Sequence, residues 1–216
     1  MKLISATPSP WARKVRIILH EKDVPFELHD DIPWSSETCV PQFNPLEKLP
    51  ILLTDEGAIY ESRLIVEWIE RRFPEPEMIP KDDSAYITAK TLEVLADGTL
   101  DALLLLGMEQ KRPHPNAPWA DRQRRKIFGG FAEVARRVGN RRFALLDRFT
   151  LGDAAIGSML GAFDMSFELD SFRELDWRRE YPDLATYFDR LQERDSFRLT
   201  VPVMFDFDTS KELHTA

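Results

Sequence analysis

The chain has 216 residues, 43% hydrophobic and 31% charged, with a formal net charge of -8 at pH 7. That is enough for one large domain or two small ones with real cores, and it excludes a disordered or fibrous chain. The single cysteine, Cys39, excludes a disulfide framework and any CxxC redox or zinc motif, and it points to a reducing compartment. The excess of 37 acidic over 29 basic residues argues against nucleic acid as a partner. The N-terminus shows no signal-peptide apolar core, and the apolar stretches at residues 102–108 and 154–163 are too short to span a bilayer. The expectation is a soluble cytoplasmic protein with no membrane partner.

Lys2–Ser5 reads as a short strand running into Ala6-Thr7-Pro8-Ser9-Pro10. Ser9 suits an N-cap and Pro10 the first helical position, where a missing N–H costs nothing. Trp11, Val15, Ile18 and Leu19 then fall on one helical face, with Arg13, Lys14 and Arg16 off it. Pro25 ends this region, and residues 26–29 resemble a second strand. Residues 30–48, broken by Pro33, Pro41 and Pro45, are irregular. Residues 49–54 form a compact apolar run, Asp55-Glu56-Gly57 a turn, and Ala58-Ile59-Tyr60 a returning strand. Glu61 and Ser62 open a helix carrying Leu64, Ile65, Trp68, Ile69 and Phe73 at helical spacing. The order βαβ then ββα resembles a thioredoxin-like domain, a mixed sheet covered by helices.

A proline-rich polar linker runs from Phe73 to Asp83. Beyond it the strand signals fade. Residues 84–110 are one long helical pattern, apolar nearly all round near its end, and that surface exceeds what one small helical domain covers, so a homodimer centred on this helix is expected. Ile127, Phe131, Val134 and Val138 make one apolar stripe, and Leu184, Tyr187, Phe188 and Leu191 another. Between them Thr150-Leu151-Gly152-Asp153 fits a capping box, with the Thr150 hydroxyl on the N3 amide, Asp153 reaching back, and Phe149 stapled to Ala154. Asp153 is read as a cap and not as a catalytic acid. Residues 163–179, rich in Phe, Asp and Glu, follow no assignable pattern.

Thr7-Pro8-Ser9-Pro10-Trp11-Ala12-Arg13-Lys14-Val15-Arg16, Asn44-Pro45-Leu46-Glu47-Lys48-Leu49-Pro50 and Tyr60-Glu61-Ser62 stand in this order, followed by Leu95-Ala96-Asp97-Gly98-Thr99-Leu100-Asp101 and the Thr150–Asp153 cap. Together they resemble the cytosolic glutathione S-transferases along essentially the whole chain, most nearly the bacterial-type members with a serine or cysteine near the first helix. The resemblance implies an α/β thioredoxin-like glutathione-binding domain at residues 1–77. It also implies an all-α helical domain at 84–205 with acceptor-pocket and dimer contacts. Glutathione would be the co-substrate, with no metal, and the second substrate a small hydrophobic electrophile. Lyase or etherase, dehalogenase and isomerase outcomes use the same thiolate, and a non-catalytic binding or regulatory protein on this fold is the rival.

The resemblance assigns roles residue by residue. Ser9, at a helix N-terminus, would donate to the glutathione sulfur and favour the thiolate. Leu49-Pro50 would be a cis-proline turn offering the Leu49 backbone to the cysteinyl part. Ser62 and its helix N–H groups would take the γ-glutamyl carboxylate, and Glu61 its ammonium. Trp11 and Met108, with Trp119, would line the acceptor pocket, and Asp97 or Asp101 would approach a glutathione amine. Glu47-Lys48 stand where many members carry glycine or glutamine, and the missing N-terminal tyrosine excludes the tyrosine-type classes. Cys39 is read as an incidental thiol. His20, His29, His114 and His214 lack metal-ligand spacing, so no metal is expected. Arg122, Arg124, Arg125 and Lys126 are read as a solvated helix face.

Overall fold

A computed structural model describes residues 1–167 and 175–205. The chain divides into two compact units, one built from Met1–Glu77 together with the segment beginning at Asp195, the other from Met78–Arg194.

The first unit holds a four-stranded sheet of β1 (Lys2–Ser5), β2 (Glu27–Asp30), β3 (Ile51–Thr54) and β4 (Gly57–Tyr60), in the order β2-β1-β3-β4. β1 pairs parallel with β2 and antiparallel with β3, and β3 pairs antiparallel with β4 across the expected turn. The parallel pair needs a crossover, supplied by α1 (Pro10–Glu21), and α2 (Ser62–Arg72) follows β4. Leu3, Ile4, Ile51 and Leu52 are buried to within 1% of full enclosure, with Val15, Ile18, Leu19, Ile65 and Ile69 equally enclosed on the helices. The edge strand β2 exposes Glu27, Leu28 and Asp30, as its charged sequence requires.

The expectation of a helical domain running to residue 205 is altered by the C-terminal segment, which returns to the first unit. There α8 (Asp195–Arg198) packs on α1. Arg13 is only 2% exposed, its guanidinium 5.4 Å from the Phe197 ring centroid and within 3.5 Å of the Phe197 carbonyl and the Thr200 hydroxyl. Arg16 donates to the Thr7 carbonyl at 3.0 Å. Ser196 donates to Glu21 at 2.5 Å. The polar face of α1 is thus enclosed, and Arg13 finds carbonyl and hydroxyl acceptors on the returning chain. Lys22 likewise anchors the linker, donating to the Phe73 and Pro76 carbonyls at 2.7 and 2.6 Å and pairing with Glu70 at 2.8 Å.

The second unit is helical: α3 (Asp83–Gln110), α4 (Ala117–Val138), α5 (Leu151–Phe167), α6 (Trp177–Glu180) and α7 (Pro182–Gln192). Asp82 caps α3 through the Ala85 amide, and Asn116 caps α4 through the Trp119 amide, both at 3.0 Å. α3 is clasped by α4 and α5 at small residues. A β-carbon on Gly130 would collide with the Thr99 side chain, and one on Gly152 would come within 2.8 Å of Leu92. No helix among the described residues is long and apolar enough to cross a membrane. Of the unassigned 163–179 stretch, residues 168–174 lie outside the described residues, as does His214.

The cap on α5 differs from the expected box. Asp153 reaches back to the Thr150 N–H at 2.9 Å, but the Thr150 hydroxyl donates to the same carboxylate at 3.0 Å instead of accepting from an amide. The other oxygen accepts from the Ala144 N–H and the Tyr187 hydroxyl, both at 2.7 Å. Burial raises the Asp153 carboxyl above its usual range against the pull of these four hydrogen bonds. Burial beside Asp153 also drives the Tyr187 phenol well up, so Tyr187 stays the donor. Arg122, Arg125 and Lys126 are exposed and Arg124 pairs with Asp121 at 3.1 Å, the solvated face expected.

Candidate functional site

Sheet register brings the separated first-domain candidates to one end. Ser5 closes β1; Ile51 opens β3 opposite Ile4; Tyr60 closes β4 opposite Ile51. The C-terminal ends of β1 and β4 therefore flank the N-terminal end of β3. From those three ends emerge the turn into α1, the Leu49-Pro50 bend, and Glu61-Ser62 leading into α2. Two helix N-termini, with their unsatisfied N–H groups and positive dipole ends, start on the same side of the sheet.

Ser9 caps α1, its hydroxyl oxygen accepting from the Ala12 N–H at 3.3 Å. A hydroxyl has one proton and two lone pairs, so capping leaves the proton available to an outside acceptor. The neighbouring hydroxyls are placed differently. Thr7 donates to the Val203 carbonyl at 3.2 Å, and Ser5 is fully buried. Trp11 stands half-buried in the first turn of α1.

The Leu49-Pro50 peptide bond is cis. The Leu49 side chain packs on the Ile4, Val40 and Ile51 cluster, and among the described residues its backbone N–H and C=O have no partner. Buried Asn44 fixes this bend: its amide donates to the Lys48 carbonyl at 2.8 Å and its oxygen accepts from the Leu46 N–H at 2.9 Å. That positioning role was legible only as an Asn-Pro turn signal.

Glu61 adopts φ 76°, ψ 115°, a left-handed conformation that costs a non-glycine residue about 1–3 kcal/mol. Its Oε1 accepts from the Arg63 N–H at 3.1 Å and the Ser62 hydroxyl at 3.3 Å, capping α2. Among the described residues Oε2 has no protein partner. Ser62 is 2% exposed. The remaining candidates belong to the second unit: Met108 is 54% and Trp119 42% exposed, Asp97 is buried and Asp101 exposed.

One expectation needs correction. His29 lacks metal-ligand spacing in the sequence, but the fold sets it beside Asp31 and Cys39, their donor atoms all within 4.8 Å of one another. The Cys39 thiol donates to Asp31 Oδ2 at 3.0 Å and lies 3.7 Å from His29 Nε2. Burial and the Asp31 carboxylate push the thiol above its usual range, so Cys39 is no activated nucleophile.

The family models for the glutathione S-transferase N-terminal and C-terminal domains match residues 3–77 and 117–190. An uncharacterized GST-like protein of Escherichia coli K12, YibF, is 33% identical over 211 residues, covering 94% of this chain and 98% of its own. A glutathione S-transferase from Methylobacterium radiotolerans, solved in complex with glutathione sulfonate, is 48% identical with a TM-score of 0.90, covering 96% of this chain and 97% of that one. Another from Methylobacillus flagellatus, solved with GSH bound, is 34% identical with a TM-score of 0.87, covering 94% and 99%.

Proposed function

The chain belongs to the glutathione S-transferase family, and from that premise we propose that it binds glutathione at the common end of β1, β3 and β4, holds its sulfur as thiolate against Ser9, and transfers it to a small hydrophobic electrophile. The observation that carries this reading is the convergence of two helix N-termini and the unpartnered Leu49 backbone on that end. Each feature suits a part of an anionic thiol tripeptide. Leu49 offers an N–H and a C=O to the cysteinyl peptide unit, as an added strand would use them. The N-terminus of α2 suits the γ-glutamyl carboxylate, to which the Ser62 hydroxyl would turn its proton from Glu61 on binding, and the spare oxygen of Glu61 suits the ammonium. A free thiol near pKa 8.5 is only a few per cent ionised at neutral pH, so a donor at sulfur raises the reactive fraction. The thiolate electron pair forms a carbon–sulfur bond, and the electrophile's leaving group departs with its own pair.

Isothermal calorimetry with glutathione, paired with conjugation of an activated aryl halide, tests the reading. The wild type should bind and turn over. Ser62→Ala should weaken binding by about 1–3 kcal/mol, the cost of a lost charge-assisted hydrogen bond, with thermal stability kept. Unchanged affinity would move the γ-glutamyl site elsewhere, and binding without turnover would leave a binding protein.

We further propose self-association through α3. Ile87 and Val94 at 62% and 51% exposure, and Leu105 and Met108 at 36% and 54%, form two apolar patches along one side of that helix, with Gly98 and Asp101 between them. Sedimentation at micromolar concentration should give twice the chain mass of 25.1 kDa, and Val94→Glu should halve it. A wild-type monomer would refute the dimer.

A further inference from the structure

Outside the proposed glutathione site, the strongest grouping of reactive side chains lies at the edge strand. His29 belongs to β2, Asp31 follows that strand directly, its N–H donating to the Ser5 carbonyl at 2.8 Å, and Cys39 precedes the 3-10 turn Val40–Gln42. The loop between them is folded around Asp31: the Thr38 hydroxyl donates to Oδ1 at 2.8 Å and the Cys39 N–H to Oδ2 at 3.0 Å. We propose that His29, Asp31 and Cys39 bind a divalent cation of the zinc class, with water in the fourth position.

Geometry carries the proposal. Around a tetrahedral zinc, with sulfur about 2.3 Å and nitrogen or oxygen about 2.0 Å from the metal, neighbouring donors stand about 3.5 Å apart. Here Cys39 Sγ lies 3.7 Å from His29 Nε2 and 3.0 Å from Asp31 Oδ2. The His29 and Asp31 donor atoms lie within 4.8 Å of each other, so a cation enters as the side chains close around it. The donor set matches as well. Thiolate, imidazole and carboxylate together favour zinc over calcium or magnesium, and the two anionic ligands neutralise the ion. Thr38 orients the carboxylate from outside, as hydrogen-bonding partners do at metal centres. Binding exchanges one bond for another: the S–H bond breaks, sulfur keeps the electron pair and bonds the metal, and the proton leaves to solvent. No oxidant or reductant takes part.

Cobalt(II) titration of the full chain, metal-free and without glutathione, tests this. One equivalent should produce a thiolate-to-cobalt charge-transfer band with tetrahedral d–d bands, both bleached by zinc. Cys39→Ser keeps a hydroxyl donor to Asp31 but removes the thiolate, so the charge-transfer band should vanish. His29→Gln should keep the band and weaken binding at least about tenfold, and Thr38→Ala should weaken it about ten- to a hundredfold. Wild-type protein lacking the band would overturn the proposal, since the cluster would then be a hydrogen-bonded group only. So would an unaltered spectrum in Cys39→Ser or unaltered affinity in His29→Gln, each variant first shown to melt like the wild type without metal.

Discussion

Asp153→Ala should lower the melting temperature by about 6–20 °C. The carboxylate is completely buried and accepts four hydrogen bonds, from Ala144, Tyr187 and both donors of Thr150. Removing it strands the Ala144 N–H and the fully buried Tyr187 hydroxyl where water cannot replace the lost acceptor. Each unmet buried donor costs about 1–3 kcal/mol, and the cavity adds to this, for about 3–5 kcal/mol in all. A chain of this size loses about 2–4 °C per kcal/mol. Asp153→Asn should do little better. Its NH2 must face one of two donor pairs, and while the Tyr187 or Thr150 hydroxyl can rotate its proton away, the Ala144 or Thr150 N–H cannot. Tyr187→Phe supplies the contrast, deleting one donor and leaving the carboxylate three, for a loss of about 1 kcal/mol. Differential scanning calorimetry on the three variants decides it. Equal shifts for Asp153→Ala and Tyr187→Phe would mean that the α5 cap does not anchor the second unit.

Where the fold was legible, local chemistry and tertiary structure agree. Ser9-Pro10 starts α1 as caps do, Asp55-Glu56-Gly57 turns β3 into β4, and the long apolar pattern becomes the 28-residue α3. Where the sequence misled, a distant segment decided the outcome. Arg13, Lys14 and Arg16 look like a solvent face by periodicity, yet all three are buried. For Arg13 the partners are Phe197 and Thr200, more than 180 positions away, which no helical window contains. The α5 cap follows the same logic. The reach from Asp153 to Thr150 is local, but the Tyr187 hydroxyl that occupies the other carboxylate oxygen lies 34 residues on, beyond any local pattern.

The candidate site was legible because its residues sit at element ends that carry their own signals: a cap at Ser9, a proline at 50, an acidic residue before a helix at Glu61. What the sequence could not show was their convergence, since that depends on the antiparallel register of β1, β3 and β4. His29 and Cys39 illustrate the complementary failure. Ten residues apart with three prolines nearby, they have no ligand spacing in the chain, and only the folding of the loop around Asp31 joins them.

Ser9→Ala should reduce turnover at pH 7 by about ten- to a hundredfold while leaving glutathione affinity nearly unchanged. The Ser9 hydroxyl accepts from Ala12, and its proton is the one free to be aimed at a bound sulfur. A hydrogen bond to a charged group contributes about 1.5–3 kcal/mol, or about one to two pKa units on the bound thiol. Ultraviolet absorbance of the thiolate should show that rise. The sign follows: with the thiol pKa raised, the deprotonated fraction at neutral pH falls, and activity recovers as pH climbs through the new value. The same substitution removes a helix cap worth about 1 kcal/mol, so a modest loss of stability accompanies it and must be separated from the chemical effect. Ser9→Asp makes that separation. Aspartate caps a helix as well as serine does, so stability should hold, but its charge beside the sulfur disfavours S⁻, and turnover should fall at least as far as in Ser9→Ala. Ser9→Cys, given glutathione disulfide, should attack it, form a mixed disulfide and release one glutathione. If Ser9→Ala and Ser9→Asp both keep the wild-type thiol pKa and turnover, the serine serves the helix alone, and the backbone N–H groups at the start of α1 must hold the thiolate.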